Sequence, residues 1–270
     1  MNTSAHITPG PAVKILWTGG WDSSYRVCHL AIVEQKIVAP IYFKSPWRHT
    51  TPLELEAIDR LLAALQEQFP EARQRILPLQ VFPMDREQDP RDPFIVDHYA
   101  LQSVTRIGPQ YALLARELHR LDLHGVEMCI HVGDHPGKGP VGKFTLLFQN
   151  RLERHVEHGV EYYQLAGPAG LDATARVFSR LRFPLHNVTK TQTRDLARLH
   201  GFERLLHLTW FCYHPRSGRP CGVCNPCLQA IADDFGWRIG FTGHLRNLIR
   251  RQLPETWARI KTRLPFAVRS

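Results

Sequence analysis

Short apolar runs alternate along the chain with stretches whose apolar residues recur at helical spacing. Val13-Lys14-Ile15-Leu16-Trp17 is compact, ends at Gly19-Gly20, and predicts a buried strand. From Asp22 to Glu34, Val27, Leu30 and Ala31 fall at the spacing of one helix face. Ile37 to Phe43 predicts a second strand. Pro52 to Gln68 predicts a helix with Thr51 as N-cap, Pro52 at its first position, and an apolar face of Leu55, Ile58, Leu61, Leu62 and Leu65. Ile76 to Phe82 predicts a third strand, Gln110 to Leu121 a helix, and Val126 to Val132 a fourth strand ending at Gly133-Asp134. Phe144 to Glu157 and Thr191 to His200 predict further helices, the latter closed by Gly201. Pro83 to Pro93 and Asp134 to Gly142 read as loops. Strands alternating with helices of roughly 10–15 residues predict βαβ units, a parallel sheet and the α/β class.

Composition narrows this picture. The 270 residues are 43% hydrophobic and 22% charged, a globular balance that excludes a disordered chain. No stretch approaches the roughly 18 consecutive apolar residues of a membrane span. The first twelve residues, MNTSAHITPGPA, carry no basic and apolar leader pattern and read as a short flexible lead-in, so a cytoplasmic protein is expected. There the six cysteines are metal ligands or core thiols rather than disulfides. The net charge of +9 is uneven: from Arg238 onward there are eight basic residues and one acidic residue, Glu255. This basic tail is either a surface for an anionic partner or a solvated helical face.

Two motifs carry chemistry. The first is Thr18-Gly19-Gly20-Trp21-Asp22-Ser23-Ser24, between the first strand and the first helix. Two glycines allow a tight turn and close approach of backbone N–H groups to a ligand. The helix N-terminus adds free amides and the positive dipole end, and the two serines add hydroxyls, which together suit a phosphate or pyrophosphate. Asp22 would repel phosphate directly, so its role is to hold loop amides or to bind Mg²⁺. Trp21 either covers a nucleotide or caps the core.

The second motif is Cys212, Cys221, Cys224 and Cys227, spaced C-x8-C-x2-C-x2-C, with Gly218 and Gly222 at the turns. Four thiolates in a short segment suit tetrahedral Zn²⁺, with an iron–sulfur cluster as the rival. Cys28 and Cys129 lie apart and read as core thiols. His131 with His135, and His155 with His158, have ligand-like spacing, but read as solvated or hydrogen-bonded histidines.

The loop resembles the S-G-G-x-D-S loop of the PP-loop ATP pyrophosphatases, with Thr18 in place of serine. Together with the cysteine cluster it resembles the 7-cyano-7-deazaguanine synthases. Thr209-Trp210-Phe211-Cys212-Tyr213 is similar to their T-W-S-C-Y lead-in, and Phe183-Pro184-Leu185 with Thr189-Lys190 to their P-L…T-K segment. Tyr42 and His49 fall where that family has a Y-G-x-R-H-like stretch. The likeness runs from Val13 to Ala230. It implies a Rossmann-like, adenine nucleotide α-hydrolase-like core with a small C-terminal zinc-binding helical lobe. The expected division is a flexible 1–12, a PP-loop domain at 13–208, the zinc segment at 209–236 and a basic helical tail at 237–270.

The resemblance also implies ATP, Mg²⁺ and Zn²⁺ as cofactors. ATP is split to AMP and pyrophosphate while the carboxylate of 7-carboxy-7-deazaguanine is adenylated, and a nitrogen nucleophile then displaces AMP. By position, Gly19, Gly20, Asp22, Ser23 and Ser24 hold the pyrophosphate with Mg²⁺, Thr18 opens that loop, Trp21 within it counts among the nucleotide-site residues, and Gly133 meets the adenine side. Asp22, Ser23 and Lys190 are the expected catalytic residues, Lys190 stabilising phosphate charge; Cys212, Cys221, Cys224 and Cys227 hold structural zinc.

The chain departs from the family in places. Ile107-Gly108-Pro109-Gln110 stands where the family has P-G-R-N, and Leu228-Gln229-Ala230 where an arginine follows the last cysteine. These departures bear on nitrile formation more than on carboxylate activation. The W-T-G-G-W-D-S-S form of the loop also resembles synthase-like proteins of bacterial antiphage operons, which implies a protein amine as acceptor in place of ammonia. A tRNA-modifying PP-loop enzyme and a zinc nucleic-acid-binding module are the remaining alternatives. The partners expected are a small 7-deazaguanine substrate, a protein acceptor or anionic partner at the basic tail, and a second copy in a homodimer, with no membrane.

Overall fold

The computed structural model describes residues 11–85, 89–130, 144, 146–168 and 170–252. The expectations for residues 1–10, His131, Gly133, the 134–142 loop and the tail past Gln252 concern residues outside this set.

β1 (Val13–Leu16) leads into α1 (Trp21–Cys28), which continues as a π-helical turn over His29–Val33. β2 (Val38–Lys44), α2 (Thr51–Gln68), α3 (Pro70–Gln74) and β3 (Gln80–Pro83) follow. Next come α4 (Pro93–Val104), α5 (Gln110–Arg120) and β4 (Val126–Glu127). A hairpin of β5 (Leu152–Glu157) and β6 (Val160–Leu165) precedes α6 (Ala173–Phe178) and β7 (Leu181–Arg182). α7 (Lys190–Leu199), α8 (Glu203–Leu206), α9 (Asn225–Ala232), a 3-10 turn at Gly236–Arg238 and α10 (Phe241–Gln252) complete the described chain.

The five strands β3-β2-β1-β4-β7 form one sheet, and every pairing in it is parallel. The chain builds outward from β1 through β2 to β3, then crosses back to lay β4 on the other side of β1. The strand order therefore reverses between β1 and β4, where loops leave the carboxyl edge in opposite directions and open a crevice. The period of two along each strand divides the core. Ile15, Trp17 and Tyr42 face one hydrophobic cluster with α1, α2 and the cysteines; Ile41, and beside it Leu16 and Phe43, face another with Leu114, Phe178 and Phe183. All four cysteines of the motif belong to the first cluster, so the expected lobe is packed into the main core. Among the described residues no helix is long and apolar enough to cross a membrane.

Four readings are corrected. Phe144 to Glu157 is not one helix: 144 and 146–148 are helical, but Leu152–Glu157 is a strand paired antiparallel with Val160–Leu165. The turn between them places His158 and Gly159 at φ +50° and +76°, the left-handed pair that a tight hairpin needs, while Val160 and Tyr162 supply the buried alternation. The third strand begins at Gln80 rather than Ile76, which makes only an isolated bridge to Val38. Helix α4 lies where no helix is expected from periodicity. It starts on Asp92, whose carboxylate accepts the Phe94 N–H at 2.8 Å, and exposed Val96, Tyr99 and Val104 blur its amphipathic pattern. The N-cap of α2 is Thr50, with Thr51 already helical.

Candidate active site and metal centre

A cleft of about 820 Å³ opens where β1 and β4 diverge. Thr18, Gly20, Asp22 and Ser23 line it from the glycine loop, Met128 and Cys129 from the end of β4. Trp47, Arg48 and His49 border it from the β2–α2 connection, Gln110 and Tyr111 from α5, and Tyr213 and His214 from the cysteine segment. Cys129, a core thiol by sequence, is half-buried at this cleft, and burial pushes its thiol well above the ordinary range. Cys28 is fully buried.

The glycine loop is held by its own groups and by distant backbone. The Thr18 N–H donates to Ser23 Oγ at 3.3 Å, and Ser23 Oγ–H donates to the Gly20 carbonyl at 3.4 Å. Gly19 has φ +68°, and a Cβ there would lie 2.5 Å from the carbonyl oxygen of Glu54 in α2, so no other residue fits. The Gly19 carbonyl accepts the Trp210 N–H at 2.8 Å. Gly20 caps α1 without a side-chain hydrogen bond, and the positive end of the helix lies at the cleft, which Gly20, Asp22 and Ser23 line. The carboxylate of Asp22 lies beside that end, a hard oxygen donor of the kind Mg²⁺ takes.

The other predicted residues support this loop from behind. Ser24 is fully buried and accepts Trp17 Nε1–H at 2.9 Å. The Trp21 indole is 3% exposed, donates to Thr193 Oγ1 at 3.2 Å and meets Phe235 edge-on at 4.7 Å, so the ring caps the core. Lys190 places Nζ 3.9 Å from Asp233 Oδ2 and 5.4 Å from the Phe235 ring centre. Neither Trp21 nor Lys190 lines the cleft. His155 and His158 are exposed on the hairpin.

Two polar networks escape a reading of the sequence. In the first, Glu54 accepts from Tyr42 OH at 2.8 Å, Thr50 Oγ1 at 2.8 Å and Arg48 Nη1 at 3.2 Å. Burial pushes the Tyr42 hydroxyl up to about 12. A signal is nonetheless present: Glu54 falls in helical register with Ile58, Leu61 and Leu65, an acid on a buried stripe. In the second, Arg26 donates from Nε and Nη2 to the two oxygens of Glu127, both at 2.9 Å, and from Nη1 to Glu34 at 2.7 Å. Burial opposes the Arg26 charge, but Glu127 outweighs it and raises the guanidinium above its usual range. Its clue is an acid inside the apolar run of β4.

The four sulfurs lie within 4.8 Å of one another. Separations of 3.8 Å for Cys212–Cys224 and 3.9 Å for Cys221–Cys227 match the edges of a tetrahedron with metal–sulfur bonds of about 2.3 Å. Backbone N–H groups point at the sulfurs: Cys221 N to Cys212 at 3.2 Å, and Cys224 N to Cys221 at 3.3 Å. Such donors stabilise thiolates, so the set fits a bound zinc ion. The described part of the basic tail serves this segment. Arg246 donates to the Cys221 carbonyl at 3.3 Å and Arg250 to the Val223 carbonyl at 2.9 Å. Arg238 packs against Trp21 and Phe211, donates to the Thr209 carbonyl at 2.6 Å, and is pushed down to about 10 by burial.

The model of the family described as queuosine biosynthesis protein QueC matches residues 158–232. Over those residues, about a quarter of the chain, the protein is similar to that family. The matched stretch runs from β6 through α7 to α9 and contains all four cysteines; the glycine loop lies outside it. No curated protein matches the chain.

Proposed function

We propose that the protein is an ATP-dependent ligase of the 7-cyano-7-deazaguanine synthase type, activating the carboxylate of 7-carboxy-7-deazaguanine. The observation that carries this reading is the meeting of the α1 N-terminus, the Asp22 carboxylate and the QueC-like cysteine segment around one cleft. Loop amides after Gly19 take the phosphates, and Ser23, which accepts the Thr18 N–H, fixes the loop's shape. Mg²⁺, held at Asp22, supplies charge neutralisation on the phosphates when bound. Trp21, Ser24 and Lys190 act by supporting the loop.

In the first step a carboxylate oxygen attacks the α-phosphorus, the α–β bridge breaks and pyrophosphate leaves. A nitrogen nucleophile then attacks the acyl carbon, the bond to AMP breaks and the nitrogen gives up a proton. With ammonia the product is the amide. A nitrile requires a second ATP, whose AMP carries away the amide oxygen while the nitrogen loses both protons. The cleft's task is to place the two reactants and stabilise charge on the transferring group.

The test is a reaction with Mg²⁺-ATP, 7-carboxy-7-deazaguanine and ammonia, with AMP and product followed by mass spectrometry. Stoichiometric AMP with amide or nitrile is the expected result. AMP with an acyl-adenylate and no ammonia product moves the acceptor to an amine on another protein. No AMP overturns the reading. Asp22→Ala is expected to lower AMP formation by roughly 10²–10³-fold with unchanged melting temperature.

A further inference from the structure

Among the described residues that line the cleft, Arg48 is the only arginine or lysine, and its setting is built. Its Nη1 is committed to Glu54, while Nε and Nη2 have no partner among the described residues and its side chain is about a third exposed, at 32%. The free edge is a two-donor fork, the geometry that takes a carboxylate bidentately. Glu54 does not consume the arginine, because Tyr42 and Thr50 already donate to it. The acid therefore orients the guanidinium.

The same residue sets the distance to the phosphate loop. The Glu54 backbone carbonyl lies against Gly19, where a Cβ would approach it to 2.5 Å, while the Glu54 side chain holds Arg48. One residue of α2 thus registers the loop and the cation against each other. Tyr213, from the cysteine segment, borders the same space.

We propose that Arg48 is the specificity-determining residue that receives the carboxylate about to be activated, with Glu54 as its positioning residue. The proposal rests on the carboxylate-activating function above. Arg48 selects a planar substrate bearing a carboxylate over the same ring bearing an uncharged amide. It holds the carboxylate by one edge, and the charge disappears from that group once it is esterified to AMP.

The experiment is calorimetric titration of the full-length, metal-loaded protein with three probes: α,β-methylene-ATP with Mg²⁺, 7-carboxy-7-deazaguanine, and the corresponding carboxamide. The wild type is expected to prefer carboxylate over carboxamide by roughly 30-fold, the scale of a charged hydrogen-bonded contact. Arg48→Gln should reduce that preference to within about threefold while nucleotide affinity stays within about twofold. Arg48→Lys should restore part of the preference, and Glu54→Gln should lower it with nucleotide binding retained. A wild type without the preference, or an Arg48→Gln protein that keeps it, overturns the assignment. Equal loss of nucleotide binding in Arg48→Gln overturns it too, by placing Arg48 on the phosphates. A wild type that shows the preference yet releases no AMP supports Arg48 and defeats the activation reading, so the two failures are separable.

Discussion

The glycine loop and the four-cysteine segment touch through the Trp210–Gly19 hydrogen bond, yet they are held by opposite means. The cysteines converge through short spacing in one segment, and three of the four lie between Cys221 and Cys227. The loop instead owes its shape to residues far along the chain: the Glu54 carbonyl beneath Gly19 and Trp210 beside it. Cysteines close in sequence converge on themselves, whereas the glycine loop is a surface that the rest of the fold must brace.

The largest effect is expected from breaking the metal side. Cys227→Ser, or chelation, should remove the ion and roughly 5 kcal/mol or more of stability, read by metal content and denaturant unfolding. If nucleotide binding survives that loss unchanged, the two regions are independent and the Trp210 tether is incidental. Next is Glu127→Ala, which removes two of the three hydrogen bonds of the buried Arg26 guanidinium and leaves it Glu34 as acid partner; it should cost about 3 kcal/mol in chemical unfolding, with metal content unchanged. Gly19→Ala sharpens the loop side alone: the left-handed backbone and the clash with Glu54 should cost about 2–4 kcal/mol and weaken ATP binding, measured by melting and titration. The smallest is Arg250→Ala, which removes one exposed hydrogen bond to Val223 and should cost about 0.5–1 kcal/mol in thermal unfolding.

Much of the fold is legible in the order of residues alone. β1, α1, β2, α2, α5 and α7 follow from periodicity, and the glycine loop sits at the predicted strand–helix junction. The differences have physical causes. Phe144 to Glu157 has enough apolar residues to suggest a helix, but the His158-Gly159 turn and the partner strand Val160–Leu165 impose a hairpin. Trp21 and Lys190 neighbour motifs that suggest ligand contact, yet both side chains pack toward Phe235. Arg238 belongs by composition to a basic tail, and the fold turns it back onto Thr209.

Residue order alone encodes the α/β alternation, the glycine-rich turn after β1 and the closely spaced cysteines whose sulfurs converge. Each is encoded within a few neighbouring residues, where covalent spacing already limits what can meet. The Glu54–Arg48–Tyr42 and Arg26–Glu127 networks, and the packing of the cysteine segment into the main core with Tyr213 at the cleft, arise from the fold. These depend on pairing energies between residues as far apart as 26 and 127, and a buried charge shows its partner only once the sheet has brought the two together.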